Sequence, residues 1–121
     1  MAKDLVVNLD TSQRVNIITR RGDTFRLEVT FRDEDGDLMN LSGYAWKMDV
    51  RNDAESPTTI LNDTDFTYAA SESGLLILSA TAATMASVVG GIYVYDLQST
   101  NSGSVKTWLR GTFRVNEDVT E

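Results

Sequence analysis

Between Phe25 and Arg32 apolar and polar residues alternate without a break. Phe25, Leu27, Val29 and Phe31 fall on one side and Arg26, Glu28, Thr30 and Arg32 on the other, the period of a strand with one buried face. The acidic run Asp33-Glu34-Asp35-Gly36-Asp37 follows, and its Asp-Gly pair predicts a hairpin tip or tight connection, because Gly and Asp tolerate positive φ. Alternation then resumes with Tyr44, Trp46, Met48 and Val50 set against Ala45, Lys47, Asp49 and Arg51. Two long amphipathic strands are thus expected to flank the acidic turn.

Residues 52–57 are polar and end on the lone Pro, so they read as loop. The short Thr-rich and aromatic segments 58–61 and 66–69, separated by Asn62-Asp63-Thr64-Asp65, predict a second hairpin. The unbroken apolar run at 74–79 predicts a central strand covered on both faces. Residues 81–88 are Ala-rich, start at a Thr suited to capping and stop at Gly90-Gly91, which predicts one short connector helix. Extended segments at 92–98 and 105–115 close the chain around an Asn-Ser-Gly-Ser turn, and Gly111 predicts a bulge or bend in the last one. Weaker strands are expected at 5–9 and 14–19.

About eight short strands at spacings of about ten residues define the fold class: an all-β, antiparallel β-sandwich, immunoglobulin-like in look, with one short helix. One domain is expected over residues 1–121, with a short polar N-terminal arm. The Cys pair and associated Trp packing of an antibody domain are missing, so the likeness is architectural.

Charge narrows the function. Eleven Lys and Arg against 18 Asp and Glu leave −7 with no His, a surface expected to repel nucleic acid and anionic membrane. With neither Cys nor His, disulfides, thiolate nucleophiles, Cys or His metal ligands and an imidazole base are all excluded. No basic segment followed by an apolar run opens the chain, so no secretory signal is expected, and no apolar stretch reaches the roughly 18 residues of a spanning helix.

Four features invite chemistry. Asp33, Asp35 and Asp37 cluster as calcium ligands would, but an EF-hand loop begun at Asp33 would need its glycine where Leu38 stands and its acid where Tyr44 stands; a solvated turn is the expectation. Arg21-Gly22-Asp23 matches an integrin-read tripeptide and is expected to be a polar turn. Asp96 sits among apolar neighbours with no second acid in view for glycoside hydrolysis, so a pairing with Arg110 or Arg51 is expected. Among the aromatic residues Trp46 has core parity with Met48 and Val50. Trp108 has the opposite parity to Thr107 and Leu109, which marks it as the exposed aromatic and an interface anchor.

The order Arg21-Gly22-Asp23-Thr24-Phe25, Asp35-Gly36, Leu41-Ser42-Gly43-Tyr44, Met48-Asp49-Val50-Arg51, Gly91-Ile92-Tyr93-Val94-Tyr95-Asp96-Leu97-Gln98, Leu109-Arg110-Gly111-Thr112-Phe113-Arg114-Val115 resembles a family of tailed-phage virion proteins. It is similar to the N-terminal domain of the siphophage baseplate upper protein and related small tail proteins, over roughly residues 20–120. The resemblance implies a non-enzymatic virion structural component without cofactor or metal. Its place would be a tail, baseplate or fibre adaptor, assembled in the host cytoplasm and oligomeric among other virion proteins. A nucleic-acid or membrane partner is not expected. Candidate interface residues are Trp108, Arg110, Arg20 and Arg21. A capsid decoration protein and a carbohydrate-binding module using Trp108 are the alternatives, and an enzyme built on Asp96 comes last.

Overall fold

The computed structural model describes residues 12–33, 35–53, 55–56 and 58–117, so the strand expected at 5–9 lies outside the described residues. In chain order the strands are β1 (Gln13–Arg14), β2 (Ile17–Arg20), β3 (Phe25–Thr30), β4 (Ala45–Arg51), β5 (Thr59–Leu61), β6 (Thr67–Ala70), β7 (Leu75–Ala80), β8 (Gly91–Asn101) and β9 (Ser104–Asn116), with a helix α1 (Ala82–Ala86) before β8. One sheet runs β1-β9-β8-β4-β5, and β2 also lies along β9; the other runs β3-β7-β6. The all-β sandwich with one short helix is therefore what the chain builds. Splitting β3, β6 and β7 from β4, β5, β8 and β9 is the variable-type immunoglobulin division. A second mark of that fold is Tyr93 at the start of β8, whose hydroxyl donates to the carbonyl of Val89, the tyrosine corner. Trp46 is buried on β4, but opposite Ser99 rather than Tyr95, so the antibody-style Trp packing is absent.

The second expected hairpin is corrected, and of the first the tight connection holds while the long strand pair does not. The acidic tip does close locally, with an antiparallel bridge between Arg32 and Leu38, but β3 and β4 belong to different sheets. Leu41, 1% exposed, carries the chain across the end of the sandwich, its amide donating to the carbonyl of Ser71 at 3.1 Å. Residues 62–65 form a single 3-10 turn (Asp63–Asp65) capped both ways: Asn62 accepts from the Thr64 amide, and the Asp65 carboxylate accepts from the Asn62 amide. That turn hands the chain from β5 to β6 in the opposite sheet. Strand β7 is central in its sheet but buried on one face only, since three strands leave its outer side to solvent. Strands β1 and β2 run parallel to β9, so the first sheet is mixed.

The core is aromatic along the sandwich. Phe25 meets Phe66 edge-on at 5.8 Å and Phe113 at 5.5 Å, while Phe31 meets Trp46 and Trp108 at 5.0 Å each at the other end. Met85, fully buried, pins α1, whose Thr81 cap accepts from the Thr84 amide.

Gly111 has a different task from the bulge expected of it. It pairs in register with Tyr95, and a Cβ there would stand 2.4 Å from the carbonyl oxygen of Val15. The bare position lets the first strand close onto β9 and lets the Tyr95 hydroxyl reach past it to donate to that carbonyl at 2.6 Å. Burial pushes the Tyr95 phenol up to about 12. The extra residue of the ladder is instead Trp108, between Leu109 opposite Leu97 and Thr107 opposite Gln98. Gly111→Ala is expected to cost roughly 2–3 kcal/mol through the forced backbone shift, and Tyr95→Phe about 1 kcal/mol through the lost hydrogen bond; urea unfolding of the two variants checks both.

Candidate functional site

The outer face of the larger sheet places a charged row across four strands. Arg14 on β1 is the register partner of Arg110 on β9, Arg110 of Asp96 on β8, and Asp96 of Asp49 on β4. Register partners share a face, so four ionisable side chains stand side by side. With Arg51 and Lys106 they line an open groove of about 780 Å³.

Asp49 is 4% exposed although its parity points it outward. Lys47 and Arg51, two residues to either side on the same face, fold over it, with Nζ 3.7 Å and Nη2 3.3 Å from its Oδ2. Its Oδ1, the Oδ1 of Asp96 and the Nε of Arg51 are buried without a hydrogen-bond partner. Burial pushes the Asp96 carboxyl up from the ordinary carboxylate value, and the charge of Asp49 adds to this while Arg51 and Lys47 oppose it. The result is a floor in which two carboxylate oxygens and one guanidinium N–H are buried without partners beneath a cationic rim.

Asp96 therefore has a carboxylate neighbour after all, which the sequence reading missed because Asp49 lies 47 residues upstream and only strand register joins them. Of its two expected basic partners, Arg110 stands opposite it in the ladder, whereas Arg51 makes its ion pair with Asp49.

The expected interface residues separate. Arg110 is exposed within the groove, its Nε donating to Ser12 Oγ at 3.0 Å. Trp108 is not the exposed aromatic that parity indicates. As the extra residue of the bulge it rotates toward the core side, packs edge-on against Phe31 and donates Nε1–H to Ser99 Oγ at 2.9 Å. Lys106 Nζ lies 4.1 Å from its ring centre, and Tyr44 stacks on Trp46, so the sugar-stacking platform is already occupied by the chain's own groups. Arg21 is a clasp: Nε donates to the Ala86 carbonyl at 2.9 Å and Nη1 to Glu117 at 3.1 Å. The amide of Gly90 also donates to Glu117, and these contacts hold its carboxyl below the ordinary range, the Gly90 amide foremost. Arg20 donates to the Glu117 carbonyl at 3.4 Å, on the register row of Asn116, six residues along β9 from Arg110. The Arg21-Gly22-Asp23 segment is a turn closed by the Asp23 amide donating to the Arg20 carbonyl.

The acidic tip is a self-capped turn. Asp33 Oδ1 accepts from the amides of Asp35 at 2.9 Å and Asp37 at 3.0 Å, and the three exposed carboxylates lie within 4.8 Å of one another.

No family model and no curated protein matches this chain. Among solved structures it is similar to the Lin-41 filamin domain, at 21% identity over 84% of this chain and 82% of that one with a TM-score of 0.46. It is also similar to CopC from Methylosinus trichosporium OB3b, at 13% identity over 87% and 88% of the two chains with a TM-score of 0.48. At these levels neither lends this chain a ligand or an activity.

Asp96 gives a pH dependence with a definite sign. A carboxyl whose value is raised on folding stabilises the fold below its unfolded value, and that contribution is lost as pH rises through the folded one. Asp96→Asn removes the cross-strand repulsion, so at about pH 7 the variant is expected to be more stable than the parent by roughly 0.5–1 kcal/mol. The gain should shrink as pH falls through the raised folded value of Asp96, where the carboxyl takes up its own proton; urea midpoints measured from neutral pH downward test it, and a parent as stable as the variant at neutral pH contradicts it.

Proposed function

We propose that this chain is a non-enzymatic virion structural protein of a tailed phage, a tail, baseplate or fibre-adaptor component that works by binding other virion proteins. The observation carrying the reading is a convergence. Met48–Arg51, Gly91–Gln98 and Leu109–Val115, three of the segments that resemble the baseplate family, lie far apart in the chain and pair as neighbouring strands of the larger sheet, with Asp49, Asp96 and Arg110 side by side on its outer face. Beside the charged row, that face carries an apolar one: Ile18 and Ile92, 67% and 65% exposed, flank Arg114 as its register partners on either side. Apolar anchors next to incompletely paired charges are how contact surfaces between proteins are composed.

The same groove argues for binding rather than catalysis. Asp49 is covered by Lys47 and Arg51, and a carboxylate that a substrate cannot reach serves neither as nucleophile nor as base.

Purified particles of the phage that encodes this chain test the reading by quantitative mass spectrometry. A tail part is expected in a small copy number, a multiple of three or six set by tail symmetry. Hundreds of copies would transfer the chain to the capsid surface as a decoration protein, and absence from the particle would end the virion reading.

A further inference from the structure

The smaller sheet ends on β3, and among the described residues no strand lies along the side of it that faces away from β7. The strand is regular over Phe25–Thr30, with neither proline nor bulge, so its open edge is a straight template for another strand. The Phe31 amide donates to the Gly74 carbonyl at 2.8 Å, one step beyond the β3–β7 register. Main-chain groups of successive residues point to opposite sides of a strand. Phe25, Leu27 and Val29 therefore bond to β7, while Arg26, Glu28 and Thr30 turn their amides and carbonyls to the open side. Leu27 and Val29 share the core face with Phe25 but are only half-buried, whereas Leu76 and Leu78 of β7 are fully buried. Apolar surface at this edge is left uncovered.

The edge is complementary to itself. Two copies of β3 laid antiparallel about Leu27 place Arg26 of each opposite Glu28 of the other, Phe25 opposite Val29, and Leu27 opposite Leu27. Arg26 and Glu28 are the residues whose main-chain groups point outward, so each such pair exchanges both of its backbone hydrogen bonds. Their side chains, on the solvent face, then form a cross-strand ion pair twice over. In the single chain Arg26 reaches its own Glu28 at 2.8 Å; pairing trades that contact for the same one across strands and leaves the guanidinium on the exposed face. Centring the pair on Glu28 instead would set the two Glu28 side chains against each other, so charge also selects the register. We infer that β3 pairs with β3 of a second copy of this chain, joining the two smaller sheets into one continuous sheet about a twofold axis. The surface lies away from the charged row, and the inference does not depend on where the protein works.

Sedimentation velocity of the full chain is the test, with hydrogen exchange of the Arg26 and Glu28 amides as a second readout. The parent is expected to dimerise as its concentration rises, and exchange of the two amides to slow in step with it. Arg26→Glu alone and Glu28→Arg alone each set like charges opposite one another, and each is expected to lower the association constant by about tenfold or more. Both positions are exposed, and thermal melts establish that each variant folds. Mixed one to one, the two variants bring opposite charges together at both pairs, so the mixture is expected to regain the parent's affinity as a heterodimer. A parent that stays monomeric up to about 0.1 mM, dimers indifferent to both charge reversals, or a mixture no stronger than its components overturns the inference. Slow exchange of the two amides in a monomeric chain does so too, by giving the edge to a segment of that same chain.

Discussion

The β8–β9 ladder is the constraint on which the rest depends. It runs from Gly91 opposite Val115 to Asn101 opposite Ser104, with one extra residue at Trp108. Below the bulge it sets Tyr95 against Gly111 and Asp96 against Arg110, so a single register decides both how the first strand closes and which charges share the outer face. A shift of one residue would exchange the two faces of β9 along its length. Phe113 and Val115, now 0% and 2% exposed, would go to solvent and Arg110 to the core. Hydrophobic burial on one side therefore fixes the electrostatics on the other.

That coupling explains an arrangement that is unfavourable by itself. Carboxylates directly opposite on neighbouring strands repel, and the charge of Asp49 adds to the burial that pushes the Asp96 carboxyl up. Lys47 and Arg51 offset the cost for Asp49 without fully pairing it. The sheet's register maintains a row that its own members would not choose, a local conflict of the kind found at functional sites.

How far these features can be read without coordinates depends on how local they are. Strand existence is local: the alternation from Phe25 and from Tyr44 and the Thr81 cap each signal their element within a few residues. Strand partnership is not. Alternation identifies the buried side of β3 and β4 but not the sheet each joins, so a turn-rich link such as 33–37 or 62–65 looks the same whether it makes a hairpin or passes the chain between sheets. Trp108 was misplaced because parity counting assumes an uninterrupted ladder, and nothing nearby announces the bulge. Gly111 did carry a signal, though its cause is the approach of Val15, ninety-six positions earlier. Asp49 read as an ordinary outward residue, and only the pairing of β4 with β8 makes it the centre of the groove.

Arginine-selective covalent labelling of the chain, free and in its assembled state, tests most directly whether the outer face of the larger sheet is the working surface. Arg14 and Arg110 should lose reactivity on assembly while Arg26, which lies away from the groove on β3, keeps its own. Unchanged labelling of Arg14 and Arg110, with protection falling on Arg26 instead, would contradict the account.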